Sequence, residues 1–387
     1  MESFFAMDNF IEYLRWRGDL SFWDRPFNEV DNLILSELAY TKMEELVPGP
    51  ESGDAVTVRE LCEGYRRMGY QAPGNSNDAY PLLAAAAESE RFASVRVSSY
   101  VNNIDTEKHL QFSAVTFALG DGSFYIAFRG TDNTIVGWRE DFSISYLSET
   151  PGQYEAVRYL NTVASRTSGP LRVGGHSKGG NLAVYAAAFC DKAVRERILT
   201  VYSNDGPGFN QSVTETQQYR DVLEKVQLII PESSVIGILL SNKRERKIID
   251  SSAVGVQQHD PYTWLVDRDH LREARQTAAS QYLDETLGRW ASELDNTQRA
   301  NLVKAIFDSM DAVGVQTLTE LNENRWNSYN MILRAALDLD PALRRDVLKT
   351  AQKLAVSGRD VLWEEAQNSL RETVAQITEK LKKQDQD

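Results

Sequence analysis

Positions 173–181 read Val-Gly-Gly-His-Ser-Lys-Gly-Gly-Asn, so Ser177 lies between two glycines that are each two residues away. Gly175 and Gly179 allow a turn so tight that the serine needs a positive φ and its neighbours must lack bulk. An apolar run precedes this turn, and residues 178–190 carry apolar side chains at helical spacing. The pattern predicts a nucleophile elbow, which lifts the serine hydroxyl above a sheet and directs the N-terminal N–H groups of a helix at it.

Strand-like and helix-like segments alternate on both sides of this turn. Segments 112–119 and 124–129 are rich in β-forming residues and are joined by Gly-Asp-Gly-Ser, which predicts a hairpin. Further strands are predicted at 171–174, 198–203, 226–230 and 247–252, and helices at 154–165, 178–190 and 212–223. Such alternation is typical of a mainly parallel sheet with both faces covered. The alternative for the glycine-rich segment is an ordinary strand-to-helix turn in an α/β domain.

The two flanking regions have a different pattern. Residues 1–94 are predicted to be mostly helical, with helices at 28–46, 57–68 and 80–92. Strand patterns disappear beyond about residue 262, and helices are predicted at 271–294, 297–312, 317–337, 341–354 and 359–383. We therefore predict three regions: mostly helical residues 1–94, an α/β catalytic core at 95–265, and a helical region at 266–387. The helical regions could hold a partner or a second copy in a homo-oligomer.

Composition limits the partners and the location. Forty-two basic against fifty-six acidic residues give a net charge of −14, which argues against nucleic acid and anionic membrane surfaces. There is no run of eighteen apolar residues to predict a membrane-spanning helix, and the first residues do not resemble a secretion signal. The two cysteines, Cys62 and Cys190, lack metal-ligand spacing. We expect a cytoplasmic protein without a disulfide framework, and with neither a metal nor an organic cofactor.

A serine hydroxyl needs a base within hydrogen-bond reach and a third group that orients the base. In elbow hydrolases the chain order is serine, acid, histidine. Of the four histidines, His259 lies downstream on a polar loop just after the last predicted strand, and it is the predicted base. His270, at a predicted solvated helix start, is the alternative base. His176 lies inside the elbow and is expected to pack or to form a hydrogen bond, and His109 precedes the serine.

Two carboxylates are candidates for the acid. Asp205 follows the predicted strand 198–203 in a loop rich in glycine and proline, at the carboxyl end of a strand next to the elbow. We predict that Asp205 orients the imidazole of His259; a turn-capping role for Asp205 is the alternative. Glu232, which follows the predicted strand 226–230, is the other candidate acid.

An oxyanion hole needs two backbone N–H groups, one from the residue after the serine and one from an earlier loop. Lys178 supplies the first by position. Thr131 is the candidate for the second, because it ends the sequence Phe-Arg-Gly-Thr after a predicted strand and Gly130 permits close backbone approach. Arg129 has either a structural ion-pair role or a direct role.

These motifs together resemble the class 3 lipase branch of the α/β hydrolases. The shared residues are Phe-Arg-Gly-Thr at 128–131, Trp-x-x-Asp at 138–141 and Gly-His-Ser-x-Gly-Gly at 175–180. The chain is also similar to an uncharacterised bacterial family of lipase-like proteins through Arg-Gly-Asp-Leu-Ser-Phe at 17–22, Gly-His-Ser-Lys-Gly-Gly-Asn at 175–181, Asn-Asp-Gly-Pro-Gly-Phe at 204–209 and Gln-His-Asp-Pro at 258–261. The lipase-like part covers about residues 95–265. The resemblance implies an α/β-hydrolase-like fold, Ser177 as nucleophile, His259 as base, Thr131 as oxyanion donor, and residues 132–147 in the place of the lid.

Two departures from the lipase pattern change the expectations. The lipases carry their acid in an Asp-x-Val-Pro stretch, whereas residues 231–237 here hold no aspartate, which moves the acid role to Asp205. Lys178 replaces the usual leucine, and its cation either favours an anionic substrate or reaches solvent. We expect a serine hydrolase that cleaves a carboxylic ester of a small molecule or lipid through an acyl-enzyme. The alternatives are thioesterase, peptidase or acyltransferase chemistry on the same triad, and a non-catalytic binding or scaffold module.

Overall fold

A computed structural model describes residues 6–7, 9–70, 79–105, 107, 110–131, 144, 147–240, 245–278, 280–281 and 284–285. His109, the helices predicted beyond residue 294 and the lid segment 132–147, apart from residues 144 and 147, lie outside the described residues. The strands are β1 (Ala6–Met7), β2 (Val56–Thr57), β3 (Arg96–Asp105), β4 (Leu110–Ala118), β5 (Phe124–Phe128), β6 (Leu171–His176), β7 (Ile198–Asn204), β8 (Val226–Pro231), β9 (Lys247–Ile249), β10 (Val266–Asp267) and β11 (His270–Leu271). The α-helices are α1 (Phe10–Arg17), α2 (Glu29–Leu38), α3 (Val58–Arg67), α4 (Tyr80–Glu88), α5 (Pro151–Arg166), α6 (Lys178–Phe189), α7 (Lys192–Arg197), α8 (Gln211–Thr214) and α9 (Gln217–Val222).

Strands β2 to β9 form one eight-stranded sheet in which neighbours in sequence are also neighbours in space. The pairs from β2 to β5 are antiparallel, and the pairs from β5 to β9 are parallel. The predicted hairpin of β4 and β5 is therefore present, and it joins the antiparallel end of the sheet to the parallel end. The prediction of an α/β fold with a mainly parallel sheet and flanking helices is confirmed.

Side chains alternate between the two faces of the sheet, as the twofold repeat of a strand requires. In β4, Val115 and Phe117 pack into a core with residues of α1 to α4. Phe112 and Ala114 of the same strand belong to a second core, which contains residues of α5 and α6. The N-terminal helices therefore cover one face of the sheet, and the helix after the elbow covers the other.

Helix α2 is the N-terminal element that lies closest to the elbow strand. Asn28 and Asp31 form a capping box at its start, in which each side chain accepts a hydrogen bond from the backbone of the other residue. All of its residues from Val30 to Leu38 are buried. A helix that is buried on every side must satisfy its polar groups within the protein, and this requirement becomes important at the functional site.

The loop after α1 contains the Arg-Gly-Asp-Leu-Ser-Phe motif and is held by a buried arginine. Arg91 forms a bidentate ion pair with Asp31, with Nε 2.7 Å from Oδ1 and Nη2 2.5 Å from Oδ2. Its Nη1 also donates to the carbonyl oxygens of Leu20, Ser21 and Arg25. Both charged side chains are fully buried, and these hydrogen bonds compensate for the loss of hydration.

Some predictions from local pattern were wrong. Strands occur beyond residue 262: β10 and β11 pair with each other, and β10 also pairs with β1. His270 lies in β11 rather than at a helix start, and the helix predicted from 271 cannot begin there. The helix predicted at 28–46 ends at Leu38, and the one predicted at 212–223 is divided into α8 and α9. Strand β3 was not predicted, and a register shift between Ser98 and Val101 interrupts its alternation.

Among the described helices, none has the length and apolar character needed to cross a membrane.

Candidate active site

Ser177 occupies the sharp connection between β6 and α6. Its φ of 57° and ψ of −131° lie outside the regions that most residues adopt, as an elbow requires. Methyl groups at Gly175 or Gly179 would both collide with the carbonyl oxygen of Phe128, so only glycine fits at either position. The Ser177 N–H donates to the carbonyl of Asn204 at 2.9 Å, which ties the turn to the adjacent strand.

Three predicted residues meet at this turn although they are far apart in sequence. The Nε2 atom of His259 lies 3.1 Å from Oγ of Ser177, and its Nδ1 lies 2.7 Å from Oδ2 of Asp205. A carboxylate accepts hydrogen bonds, so Nδ1 carries the proton and the lone pair of Nε2 faces the serine hydroxyl. This tautomer is the one in which the imidazole can accept the serine proton.

Asp205 is fully buried directly after β7, with a positive φ of 48°. Its Oδ1 accepts hydrogen bonds from the hydroxyl of Ser234 and from the N–H of Gly237, at 3.1 Å for the latter. These donors come from segment 231–237, which has no aspartate of its own. Both oxygens of Asp205 therefore have partners, and the second oxygen is directed at His259.

Asn181, the last residue of the elbow motif, holds the loop that follows Asp205. Its Nδ2 donates to the carbonyl oxygens of Pro207 and Gly208, at 3.1 and 2.9 Å. Its Oδ1 accepts a hydrogen bond from Nε2 of Gln153 on α5. This asparagine therefore joins α5 to the loop of Asp205, a role that its place in the motif does not predict.

The loop that carries His259 is held by its neighbours. His259 ends a 3₁₀ helix, Gly255–His259. The side chain of Gln258 accepts from the N–H of Ser233 at 2.8 Å and donates to the carbonyl of Ala253 at 3.0 Å. The indole of Trp264 donates to the carbonyl of Gln258 at 2.8 Å. These bonds fix the backbone of a loop whose imidazole remains partly exposed, at 22%.

The other candidate residues from the sequence have different partners. Glu232 accepts a hydrogen bond from Gln258 at 3.3 Å, whereas Nδ1 of His259 is bonded to Asp205. His270 is half exposed and lies 3.4 Å from its neighbour Asp269. Arg129 donates to the side chain of Asn102 at 3.0 Å. The structure thus brings Asp205, rather than Glu232, to the predicted base.

The segment of the predicted oxyanion donor packs directly against the nucleophile. A methyl group at Gly130 would lie 2.6 Å from the carbonyl oxygen of His176 and 3.1 Å from Cβ of Ser177. Thr131 follows this glycine and is partly buried. Lys178 is the first residue of α6, so its backbone N–H lies at the positive end of the helix dipole.

The side chain of Lys178 fits neither of the two roles considered for it. It is 1% exposed, and its Nζ donates to the carbonyl of Gln111 on β4 at 2.9 Å. The ammonium group therefore turns away from solvent and into the protein. The expectation that it reaches solvent is wrong, and its direction gives no support for recognition of an anionic substrate.

Sequence reasoning missed a polar face of α2 and the turn after it. Asn32 donates to Oδ1 of Asn204 at 2.9 Å, and Nδ2 of Asn204 donates to Ser36 at 3.1 Å and to the carbonyl of Gly175 at 3.2 Å. Farther along the helix, Glu37 faces the elbow strand as well. The sequence did contain a signal for these residues. Apolar residues lie on all sides of the predicted helix, so its polar residues are also expected to be buried and to need hydrogen-bond partners.

His176 and Glu37 form a buried pair beside the triad. The Nδ1 atom of His176 lies 3.4 Å from Oε1 of Glu37, and both side chains are less than a tenth exposed. Burial, and then the neighbouring His259, lower the pKa of His176 well below its ordinary value. Burial, and then the charge of Asp260, raise the pKa of Glu37 to about 8. Both groups are therefore neutral at pH 7. The expectation that His176 forms a hydrogen bond is confirmed, since its Nε2 lies 2.9 Å from the carbonyl of His259.

Comparisons with known proteins place this chain in a family. A family model described as Mbeg1-like matches residues 86–308, more than half of the chain, and the chain belongs to this family. A solved structure titled crystal structure of M37 lipase is similar at 17% sequence identity and a TM-score of 0.32. That match covers 46% of this chain and 69% of the lipase chain. The search of curated proteins found no match.

Among the described residues, no group of His, Cys, Asp and Glu side chains could hold a metal ion.

The glycines of the elbow can be tested by substitution. We expect Gly175→Ala and Gly179→Ala each to lower the free energy of unfolding by about 3 kcal/mol or more, because the added methyl collides with the Phe128 carbonyl. Gly120→Ala is the matched control, since a methyl there meets no atom within 4 Å. Urea unfolding measures all three. Wild-type stability in Gly175→Ala would contradict the close approach of strand and turn.

The raised pKa of Glu37 predicts a pH dependence of stability. Between its ordinary value of 4.5 and about 8, the folded protein holds a proton that the unfolded chain has released. Stability from this group therefore falls as the pH rises through that window. Glu37→Gln does not titrate, so its free energy of unfolding relative to wild type should rise by up to about 1.4 kcal/mol per pH unit. Urea unfolding at pH 5, 6, 7 and 8 tests this; a constant difference across the window would contradict it.

Proposed function

We propose that this Mbeg1-like protein is a serine hydrolase that cleaves a carboxylic ester through an acyl-enzyme. One observation carries the proposal: a continuous chain of contacts from Asp205 through His259 to Ser177. The two distances, 2.7 and 3.1 Å, lie within hydrogen-bond range before any substrate is bound. The strained backbone of Ser177 supports the same role, because strain of this kind persists where the surroundings hold a residue in place.

In the acylation step, Oγ of Ser177 attacks the carbonyl carbon of the ester while Nε2 of His259 takes its proton. Asp205 accepts from Nδ1 and stabilises the imidazolium that forms. The imidazolium then delivers the proton to the leaving alcohol, and the acyl group stays on Ser177. In the deacylation step, a water molecule attacks the acyl carbon while His259 removes its proton. The bond between the acyl carbon and Oγ of Ser177 then breaks, the imidazolium returns the proton to Oγ, and the carboxylic acid leaves. Neither step needs a metal or an organic cofactor.

The charge that develops on the carbonyl oxygen needs donors that are already in place. We assign this role to the backbone N–H groups of Lys178 and Thr131. Lys178 begins α6, and Thr131 follows a glycine whose backbone packs against Ser177. The positive end of the α6 dipole adds to the same stabilisation. Loss of one such donor typically costs about 10²-fold in rate.

The proposal also covers the class of substrate, the cellular compartment and the oligomeric state. The amino group of Lys178 is buried and bonded to the carbonyl of Gln111, so this residue does not direct a positive charge at the nucleophile. We therefore favour a neutral ester as the class of substrate. Cys62 and Cys190 are free, buried thiols, which agrees with a reducing, cytoplasmic setting. Assembly as a homo-oligomer through the helical regions remains a prediction.

Three pairs of variants test the assignment with matched controls. We expect Ser177→Ala, His259→Gln and Asp205→Asn to lower kcat/KM for p-nitrophenyl esters by about 10³-fold or more, because the three residues act as a unit. Ser165→Ala and His270→Gln should stay within about two-fold of wild type, since both residues are exposed and lie away from the site. Glu232→Gln removes the other candidate acid and should lower kcat/KM far less than Asp205→Asn does. A panel of acyl chain lengths identifies the preferred ester.

The same proteins should be treated with a fluorophosphonate probe, which forms a covalent bond with an activated serine. Labelling of wild type that is lost in Ser177→Ala supports an enzyme. A folded wild-type protein that is neither labelled nor active on any ester would contradict the proposal and favour a binding or scaffold module. Full activity in His259→Gln together with loss in His270→Gln would overturn the assignment of the base.

A further inference from the structure

A chain of hydrogen bonds on the α2 side of the elbow connects two separate parts of the site. The N–H of Gly130 donates to Oη of Tyr40 at 3.1 Å. Oη of Tyr40 lies 3.4 Å from Nδ1 of His176. At the other side of that ring, Nε2 lies 2.9 Å from the carbonyl oxygen of His259. One tyrosine and one histidine therefore span the distance from the loop of Thr131 to the loop of His259.

The direction of each hydrogen bond follows from the chemistry of its end groups. A backbone carbonyl can only accept, so His176 must carry its proton on Nε2 and donate it to His259. Nδ1 is then an acceptor, and it faces the hydroxyl of Tyr40 and the carboxyl of Glu37, each at 3.4 Å. The oxygen of Tyr40 remains an acceptor for the N–H of Gly130. The lowered pKa of His176 agrees with this neutral tautomer.

Both ends of the chain adjoin groups that have roles in the proposed reaction. Gly130 precedes Thr131, and a methyl group added at Gly130 would lie 3.1 Å from Cβ of Ser177. The acceptor at the other end is the backbone of His259 itself, and the two histidine rings are 4.6 Å apart between centroids. A charged ring at His176 would oppose the imidazolium that forms on His259 during the reaction, whereas a neutral ring does not.

This chain of hydrogen bonds is anchored next to helix α2. Tyr40 lies two residues after the end of α2, with its N–H bonded to the carbonyl of Glu37 at 3.0 Å. Helix α2 is buried along its length and is bonded to the elbow strand through Asn204. Two loops are therefore bonded to residues of one buried helix and its following turn. Such support matters because catalytic groups need to be held within about 0.5 Å of the productive geometry.

We propose that Tyr40 and His176 are positioning residues that hold the loop of Thr131 and the loop of His259 at a fixed distance from Ser177. Neither side chain touches the reacting atoms; Tyr40 acts through the backbone of Gly130, and His176 through the carbonyl of His259. This inference rests on the proposed function, because a fixed geometry matters for rate only if Ser177 reacts. It extends the site by two residues that the proposed mechanism does not use.

Saturation kinetics with the fluorophosphonate probe on the full chain test the inference. We expect Tyr40→Phe and His176→Phe to react about ten-fold more slowly at saturating probe, since small displacements of reacting groups have effects of this order. The probe concentration at half saturation and the final labelled fraction should be unchanged. His176→Gln should recover most of the rate, because its carboxamide N–H can reach the same carbonyl. The control is Tyr159→Phe, which loses a buried hydroxyl bonded to Thr116 and the carbonyl of Ser99, and it should react as wild type does.

The outcomes separate positioning from a purely structural role. A lower labelled fraction with an unchanged rate constant would mean that the variants only lose folded protein, and this would overturn the inference. Wild-type rates in both Tyr40→Phe and His176→Phe would also overturn it while leaving the proposed function intact. If the wild-type protein itself does not react at Ser177, the proposed function fails and the inference fails with it.

Discussion

The backbone of Ser177 is held in a conformation that an isolated chain would rarely adopt, and the rest of the site depends on this constraint. A positive φ at a residue other than glycine costs about 1–3 kcal/mol. The packing of the Phe128 carbonyl between Gly175 and Gly179 leaves no room for a relaxed turn, and a hydrogen bond to Asn204 holds the serine N–H. The hydroxyl is consequently presented at the carboxyl edge of the sheet, where the loops of Asp205 and His259 also meet.

The N-terminal helices are part of the site's framework and not an accessory layer. Asn32 and Ser36 bond to Asn204, and Tyr40 bonds to Gly130 and His176. Buried polar groups of this kind add little net stability, but each leaves a costly unpaired atom if the packing shifts. They therefore favour one arrangement of helix and elbow over other arrangements that would bury similar apolar area. The buried pair of Arg91 and Asp31 has the same effect on the loop after α1.

The parts of the site that depend on local sterics and chain order could be predicted from the sequence. The elbow follows from two glycines and their flanking periodicity, and the fold class follows from alternating strands and helices. Strands β10 and β11 could not be predicted, because two-residue strands have no periodicity and exist only through pairing across the fold. The contacts of Tyr40 and His176 were missed for a related reason, since they join residues 136 positions apart. The burial of Lys178 was missed because lysine is rarely buried without a partner, and its acceptor is a distant carbonyl.

The central claim is that the geometry around Ser177 is ready for covalent chemistry. The most direct test is an experimental structure of the full chain after reaction with a fluorophosphonate. We predict a bond between phosphorus and Oγ of Ser177, with Nε2 of His259 beside the ester oxygens. We further predict that the remaining phosphoryl oxygen lies about 2.7–3.1 Å from the N–H groups of Lys178 and Thr131. A phosphorus atom on another residue, or an adduct on Ser177 whose oxygen faces away from both N–H groups, would contradict the account.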